Sequence, residues 1–170
     1  MSTETVLAAL RHSKLSEDLS DDEVSLLASL VIVHDYRVED VPVEMDGEAL
    51  ADSLLILVAG EIEVSALVNN EPVFLHLDAP GDLARVMSFV GGKVSIKAAI
   101  NVKRPSTVLL LKRATLEATL PTLAGKAYAH PTLAYFVMRN LVRYMHEVSR
   151  RSSAEKEEMS NYLYSLHGRY

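Results

Sequence analysis

The sequence predicts a mainly β protein with flanking helices, in which an antiparallel β jelly roll is followed by one long C-terminal helix. A helix-capping signal precedes residue 31, short apolar runs with a period of two fill residues 31–112, and a helical pattern occupies residues 131–170. We therefore expect an N-terminal helical segment over residues 1–30, a β-roll over residues 31–112 and C-terminal helices over residues 113–170.

The helix before the β-roll is predicted from its first residues. Ser20 and Glu23 have the S-x-x-E spacing of a capping box, in which the side chain of each residue bonds the backbone N–H of the other. Val24 and Leu27 then follow at helical spacing. The pattern predicts a short helix over residues 21–30.

Short strands are predicted throughout residues 31–112, because Gly, Pro and Asn break the Val, Ile and Leu runs there. The clearest hairpin joins residues 62–68 to residues 73–77, two segments in which apolar residues alternate with others. Asn69 and Asn70 lie between them and tolerate the left-handed backbone that a tight turn needs. This hairpin anchors the prediction of an antiparallel sheet.

Two more strands are predicted farther along the chain, at residues 96–102 and 107–111. Gly60 is expected at a turn between two strands, where a positive φ or a close backbone approach excludes a side chain. Roughly seven or eight strands result, which is typical of a sandwich or jelly roll.

A single helix of about 36 residues is predicted after Pro131, because no Gly or Pro follows until Gly168. Apolar residues recur along it in alternating steps of three and four, the spacing of a coiled-coil seam. One β-roll cannot cover so long a seam, so we expect two copies of the chain to pair through it. The predicted dimer interface is Met138, Leu141, Met145 and Val148, and the predicted surface for a partner protein, beyond the polar Ser152 and Glu155, is Met159, Tyr162 and Leu166.

Charge and hydropathy narrow the choice of partners. The formal net charge is -6, which disfavours attraction to phosphate backbones and anionic membranes. The first residues include an acidic group and have no apolar leader, and 18 apolar residues never run together. We therefore expect a cytoplasmic protein that binds neither nucleic acid nor membrane.

The residues of common catalytic and metal sites are missing or badly spaced. The chain has no cysteine, and its six histidines include no H-x-H pair of the kind that holds metal in cupins. A G-x-S-x-G nucleophile motif is also absent. We expect no metal, no cofactor and no enzymatic activity, and a cupin-like enzyme remains only as a third class, testable by metal analysis.

Three strings of the sequence resemble motifs of one known family. Residues 19–24 (LSDDEV) resemble its opening LSDEEL, residues 47–63 (GEALADSLLILVAGEIE) its G-x-x-x-D-S-L-Y-x-I-x-x-G-x-V signature, and residues 80–82 (PGD) the approach to its phosphate-binding cassette. The family is the cyclic-nucleotide-binding domain of the Crp/Fnr and protein kinase A regulatory proteins. The resemblance covers residues 16 to about 150 and implies that family's double-stranded β-roll and a regulatory role.

The chain departs from the family pattern where the ligand is held. The family cassette reads G-E-L/I-A and then R-x-A-T/S, with Glu on the ribose hydroxyl and Arg on the phosphate. Alignment through Gly81 and Asp82 puts Arg85 in place of the cassette Gly, Val86 in place of the Glu, and Ser95 or Ile96 in place of the Arg. Charge-assisted bonds of about 1.5–3 kcal/mol each are lost, so we expect no tight binding of cyclic nucleotide. The predicted degenerate pocket comprises Asp82, Arg85, Val86, Ser88, Lys93, Ser95 and Ile96.

Two hypotheses for function follow from these features. The first is a noncatalytic regulatory or scaffolding module that works as a homodimer through contacts with a protein partner. The alternative is a sensor of a small ligand, a cyclic mononucleotide or dinucleotide, that signals through the C-terminal helix. A Crp-type DNA-binding domain is not expected, because the residues that extend beyond the family's usual helix length continue the same heptad pattern.

Overall fold

The structure is a computed structural model that describes residues 2–38, 43–44, 52–68, 71–91, 98–120 and 132–167. Its described strand pairs are all antiparallel, and helices flank the sheet, which confirms the predicted fold class. Helices α1 to α5 span Thr3–His12, Asp21–Leu30, Val86–Gly91, Arg113–Glu117 and Leu133–His167, with a 3-10 turn at Lys14–Ser16. Strands β1 to β6 span Val31–Tyr36, Val43–Glu44, Ser53–Val68, Glu71–Leu77, Leu83–Ala84 and Ala98–Lys112.

The predicted helix after Ser20 is confirmed as α2. The Ser20 hydroxyl accepts from the backbone N–H of Glu23 at 3.3 Å, and the Glu23 carboxylate accepts from the backbone N–H of Ser20 at 2.9 Å. Both halves of the capping box are therefore formed, which satisfies two of the N–H groups that a helix start leaves free.

Two long strands organise the sheet. The strand order is β1-β6-β3-β4, with β2 also paired to β6 and β5 also paired to β3. The predicted hairpin is confirmed as β3 with β4, in a register that runs from Ile62 opposite Leu77 to Val68 opposite Glu71. The strands predicted at 96–102 and 107–111 are one continuous strand of 15 residues, β6. The described residues therefore form six strands rather than seven or eight.

Gly60 lies inside β3 rather than at the expected turn between two strands. Its φ is +101°, and a Cβ added there would lie 2.2 Å from Ser106 Oγ and 2.5 Å from the Pro105 carbonyl oxygen. The register between β3 and β6 shifts around this position, and the Ser106 hydroxyl accepts from the backbone N–H of Glu61 at 2.9 Å. A bulge bends a strand without ending it, which explains why one strand replaces the two that were predicted.

The two faces of β3 belong to different cores, because successive side chains of a strand point to opposite sides. Leu54 and Ile56 pack into one core with the helices, and Leu55 and Leu57 pack into the other, inside the roll. All four side chains are fully buried. The helical core also includes Leu10, Leu27, Phe89, Leu109, Leu133, Val137 and Leu141, and the roll core includes Tyr36, Ile62, Leu77, Ile100, Val108 and Leu110.

The structure places part of the predicted dimer interface inside the chain's own core. Leu141 is 0% exposed and packs with the helical core, so it is not available to a second copy. Met138 and Met145 are partly buried against the same core, whereas Val148 is 45% exposed. The apolar seam thus packs in its first turns within the chain, where α5 contacts the 3-10 turn at Lys14–Ser16 and helix α3. Met159, Tyr162 and Leu166, the predicted partner surface, lie outside the side chains that the structure describes.

Polar contacts fix the first half of α5 to the segment that follows α1. Asn140 is 2% exposed, and its side-chain amide donates to the carbonyl oxygens of Leu15, at 3.1 Å, and of Glu17. The Asp18 carboxylate accepts from Arg139 at 2.8 Å and from Arg143 at 3.2 Å. The buried amide contacts hold α5 in one position along its own axis, because an unpaired buried amide is costly.

A substitution at Gly60 tests the bulge. Gly60→Val is expected to lower the free energy of unfolding by roughly 2–5 kcal/mol, since the side chain meets Ser106 and the left-handed backbone disfavours it. Urea denaturation followed by circular dichroism measures the loss. Ala59→Val, one residue away on the exposed side of the same strand, is the matched control and is expected to change stability by less than about 0.5 kcal/mol. Equal stabilities of the two variants would contradict the bulge.

Candidate ligand-binding site

A cavity of about 620 Å³ opens between the sheet, the short helix α3 and the long helix α5. Small-molecule pockets generally have volumes of about 300–1,000 Å³, so this one has the size of a ligand site. Sixteen described residues line it. They are Val64, Ala66, Val73, Leu75, Leu83, Ala84, Arg85, Val86, Met87, Ser88, Val142, Tyr144, Met145, His146, Val148 and Ser149.

The sheet wall of the cavity comes from the β3–β4 hairpin. Val64 pairs with Leu75, and Ala66 pairs with Val73, so the four side chains lie on one face. On the opposite face Glu63 pairs with His76, and their side chains are 3.2 Å apart at the nearest N and O atoms. The period of two therefore puts apolar groups toward the cavity and charged groups outside.

The helix wall comes from the middle of α5. Val142, Met145, His146 and Ser149 follow the i, i+3, i+4, i+7 spacing that places side chains on one helix face. Burial raises the pKa of the neighbouring Tyr144 hydroxyl, and the negative charge of Asp82 adds to that effect. Met145 and Val148, two residues of the predicted dimer interface, thus line a cavity within a single chain.

The turn before the cavity is shaped by Gly81 and Asp82. Gly81 has a φ of +92°, and a Cβ there would lie 2.7 Å from the backbone nitrogen of Ser13. The Asp82 carboxylate accepts from the backbone N–H groups of Asp78, at 3.0 Å, and Ala79, at 2.9 Å. Asp82, which the sequence places in the degenerate pocket, holds this turn and is not among the described lining residues.

Arg85 occupies a backbone conformation that suits glycine. Its φ is +65°, in the left-handed region, at the junction where β5 ends and α3 begins. A non-glycine residue pays about 1–2 kcal/mol for this conformation. Alignment with the resembled family through Gly81 and Asp82 puts the cassette glycine at this position. The backbone retains the glycine-type geometry although the side chain is an arginine.

The positive charge of Arg85 acts on Tyr36, a residue of the roll core. Burial raises the pKa of the Tyr36 hydroxyl, and the positive charge of Arg85 partly offsets that rise. Tyr36 is 7% exposed and belongs to the roll core. Arg85 therefore brings a cation to the boundary between the cavity and the roll.

The polar groups that could contact a ligand are few. Arg85, Ser88, His146 and Ser149 are the lining residues with polar side-chain atoms apart from the Tyr144 phenol, and none of the lining residues that the structure describes is acidic. Val86, at the position of the family's Glu, is 7% exposed and lines the cavity. The predicted pocket residues Lys93, Ser95 and Ile96 lie outside the described residues.

Sequence reasoning identified only one wall of this cavity. It found Arg85, Val86 and Ser88, which the structure brings together there, but it missed the apolar side chains of the hairpin and of Val142. The alternation in residues 62–68 and 73–77 already placed the hairpin side chains on one face. The alternation did not show which face of α5 packs over the hairpin side chains.

The described residues contain neither a candidate metal-binding cluster nor a candidate membrane-spanning helix. Groups of three or more His, Asp or Glu side chains that could hold a metal ion do not occur within the described residues. Among the helices of that same part of the chain, none is both long and apolar enough to cross a membrane.

Comparisons with known proteins identify the fold. The sequence matches no protein-family model and no curated protein. A cyclic nucleotide-binding domain from Methylobacillus flagellatus KT is similar in structure, with a TM-score of 0.66 and 22% identity over 90% of this chain and 81% of that chain. The Thermus thermophilus catabolite activator protein has a TM-score of 0.62 and 22% identity over 87% of this chain and 63% of that chain.

A third similar structure is the regulatory subunit of a cAMP-independent protein kinase A from Trypanosoma brucei, solved as a mutant bound to cAMP. Its TM-score is 0.61, with 14% identity over 93% of this chain and 51% of that chain. The chain therefore has the fold of cyclic-nucleotide-binding domains, the fold found in regulatory proteins of bacteria and of protein kinase A. It spans 63% of the length of the Thermus activator.

A pair of substitutions tests the backbone at Arg85. Arg85→Gly and Arg85→Ala both remove the guanidinium, but only glycine relieves the left-handed strain. Arg85→Gly is expected to be more stable than Arg85→Ala by about 1 kcal/mol, measured by urea denaturation. A more stable alanine variant would show that residue 85 does not hold a positive φ in solution.

Proposed function

We propose that this chain is a noncatalytic regulatory module in which a cavity of the cyclic-nucleotide-binding fold takes a ligand other than a cyclic nucleotide. Whether the cavity is filled or empty is signalled through α5 to a protein partner, and the chain works as a homodimer. The fold of its regulatory structural neighbours supports the class of function. The chemistry of the cavity supports the exclusion of cyclic nucleotides.

The observation that carries the proposal is the apolar side chain of Val86. In the resembled family this position supplies a carboxylate to the ribose hydroxyl, and Val86 offers only methyl groups. A ribose hydroxyl left unpaired against apolar walls costs about 1–3 kcal/mol. The described lining contains no acidic group that could replace the missing carboxylate.

The position of α5 supports its role as the output element. The same cavity is lined by Val86, Met87 and Ser88 from α3 and by Val142 and Met145 from α5. A ligand between these two helices changes the distance at which they pack. The ion pair of Asp18 with Arg139 and the amide contacts of Asn140 hold the first turns of α5. A shift therefore falls on the part of α5 that begins at Val142 and lies over the cavity.

Exposed apolar side chains on α5 support the pairing of two copies. Tyr135 is 63% exposed and Val142 is 42% exposed, and they lie seven residues apart on one helix face. Val148 is 45% exposed, and Met87 at the rim of the cavity is 54% exposed. Tyr135 and Val142 thus form an exposed apolar stripe on one face of α5, which is typical of an interaction surface.

Calorimetry with cyclic nucleotides tests the choice of ligand. Titration of the protein with cyclic AMP and with cyclic GMP is expected to show no binding tighter than about millimolar, because the carboxylate for the ribose is missing. A micromolar isotherm would overturn the proposal. It would favour the second candidate, a cyclic-nucleotide sensor, for which Arg85 is the specific supporting observation because its guanidinium could bind the phosphate.

Light scattering tests the assembly. The parent protein is expected to be a dimer at micromolar concentration, and Val148→Glu is expected to make it a monomer, because two carboxylates would face an apolar contact. Val33→Glu is the matched control, since Val33 on β1 is 43% exposed and Val148 is 45% exposed. A monomeric parent, or a variant that remains dimeric, contradicts pairing through α5.

A further inference from the structure

Strand β4 forms one edge of the sheet. The strand order β1-β6-β3-β4 ends with it, and among the described residues it pairs with β3 alone. The free side of an edge strand presents backbone N–H and C=O groups that can pair with another chain. Proteins commonly protect such an edge with lysine, a bulge or a covering element. An edge that lacks this protection is a candidate interaction surface.

The middle of β4 exposes apolar side chains on both faces of the sheet. Val73, Phe74 and Leu75 are 50%, 57% and 39% exposed. Val73 and Leu75 line the cavity, whereas Phe74 points to the opposite face, since successive side chains of a strand alternate. Residues 72–75 carry no charge. The edge of β4 is therefore apolar on both faces, and no lysine in this segment keeps another strand away.

Pro72 shows which backbone groups of β4 face outward. Proline has no N–H, so within a sheet it occupies positions at which that group would point away from the neighbouring strand. Hydrogen-bonded and non-hydrogen-bonded pairs alternate along an antiparallel ladder, and the β3–β4 register is continuous. The outward positions therefore recur every second residue, at Pro72, Phe74 and His76. The N–H and C=O groups of Phe74 and His76 point to the free side of the strand.

Strand β4 is complementary to itself in an antiparallel register centred on Phe74. The Phe74 residues of two copies then lie opposite each other, and Val73 of one copy lies opposite Leu75 of the second copy. Exposed apolar residues thus meet exposed apolar residues on both faces of the sheet. The two Phe74 backbones exchange hydrogen bonds, and each His76 N–H donates to the Pro72 carbonyl oxygen of the other copy. This register forms about four backbone hydrogen bonds.

The strand at the other end of the order, β1, shows no such match. Its Ile32 and Val33 are 51% and 43% exposed, so it is also apolar. The antiparallel registers that overlap most of β1, centred on Val33 or His34, place Asp35 opposite a valine of the second copy. A carboxylate against an apolar side chain loses solvation without gaining a partner. Self-pairing is therefore favoured at β4 and not at β1, which makes β1 the control surface.

We infer that the outer edge of β4 pairs with the β4 edge of a second copy of the chain, antiparallel and centred on Phe74. The two-fold arrangement is closed, so it joins two chains without continuing into a fibre. On the cavity face Val73 of one copy contacts Leu75 of the second copy, and the sheet wall of each cavity continues into the other chain. The inference goes beyond the proposed function, because it concerns an interface other than α5.

Disulfide cross-linking tests the contact and its register. The chain contains no cysteine, so a single introduced cysteine reports which residues of two copies meet. Phe74→Cys is expected to form a disulfide between copies under mild oxidation at least about tenfold faster than Val33→Cys, because Cα atoms about 5.5 Å apart suit a disulfide. Equal rates would contradict pairing at β4. Faster cross-linking of Leu75→Cys than of Phe74→Cys would overturn the register.

Sedimentation velocity over a series of concentrations measures the strength of the interface. The Val148→Glu variant is the background, since that substitution is expected to remove pairing through α5. This background is expected to self-associate with a Kd on the order of 100 µM. Adding Phe74→Lys is expected to weaken the association at least about tenfold, because two like charges lie directly opposite. Val33→Lys puts the same charge on β1 and is expected to have no effect.

A proline variant tests the backbone contribution. Phe74→Pro removes an outward N–H, as Pro72 does naturally, so the β3–β4 ladder keeps its hydrogen bonds and the variant is expected to fold. It is expected to lose the self-association of the Val148→Glu background. Association that survives both Phe74→Lys and Phe74→Pro would overturn the inference. If neither variant folds, the comparison of Phe74→Cys with Val33→Cys still decides.

The outcomes for the two interfaces are separate. A Val148→Glu protein that stays monomeric up to about 1 mM, with no preferential cross-linking at residue 74, overturns pairing at β4 and leaves the proposed function intact. If Val148→Glu leaves the parent dimeric, pairing through α5 is wrong. The response of that dimer to Phe74→Lys then tests β4 directly, and an unchanged dimer overturns the inference.

Discussion

The pairing of β3 with β6 is the constraint on which the rest of the structure depends. These strands have 16 and 15 residues, and each pairs with partners on both sides along part of its length. A flat ribbon of that length could not enclose a core. The bulge opposite Ser106 lets both strands bend together. Before the bulge, one face of β3 packs against the helices and the other faces the roll core, and the part of β3 after the bulge continues the wall of the roll core.

The same constraint explains why the cavity and the helical core share α5. The end of β3 carries Val64 and Ala66 to the cavity, while its beginning carries Leu54 and Ile56 to the core that holds Leu141. Helix α5 lies across both, and its Tyr144 and Met145 contact the helical core and also line the cavity. A single helix therefore stabilises the fold with its first turns and closes the ligand site with the next ones.

Much of the fold could be predicted because its signals are local. The capping box at Ser20 and the alternation of the β3–β4 hairpin need only neighbouring residues. The continuity of β3 through Gly60 was not predictable, because a glycine in a strand has the same local signal at a bulge as at a turn. Arg85 and Val86 were placed by resemblance to a family motif. Leu141 was predicted in the dimer interface but lies in the helical core, because an apolar seam in a sequence does not show which surface covers it.

Gly81 links the cavity to the start of the chain. Where its side chain would be, the backbone of His12 and Ser13 passes instead, so the end of α1 and the turn before β5 touch without any intervening atoms. Main-chain contact of this kind leaves no flexible group to absorb a displacement. The first helix is thus part of the frame of the cavity, and a displacement of its end at His12 and Ser13 must also move the turn at Gly81 that leads to Arg85.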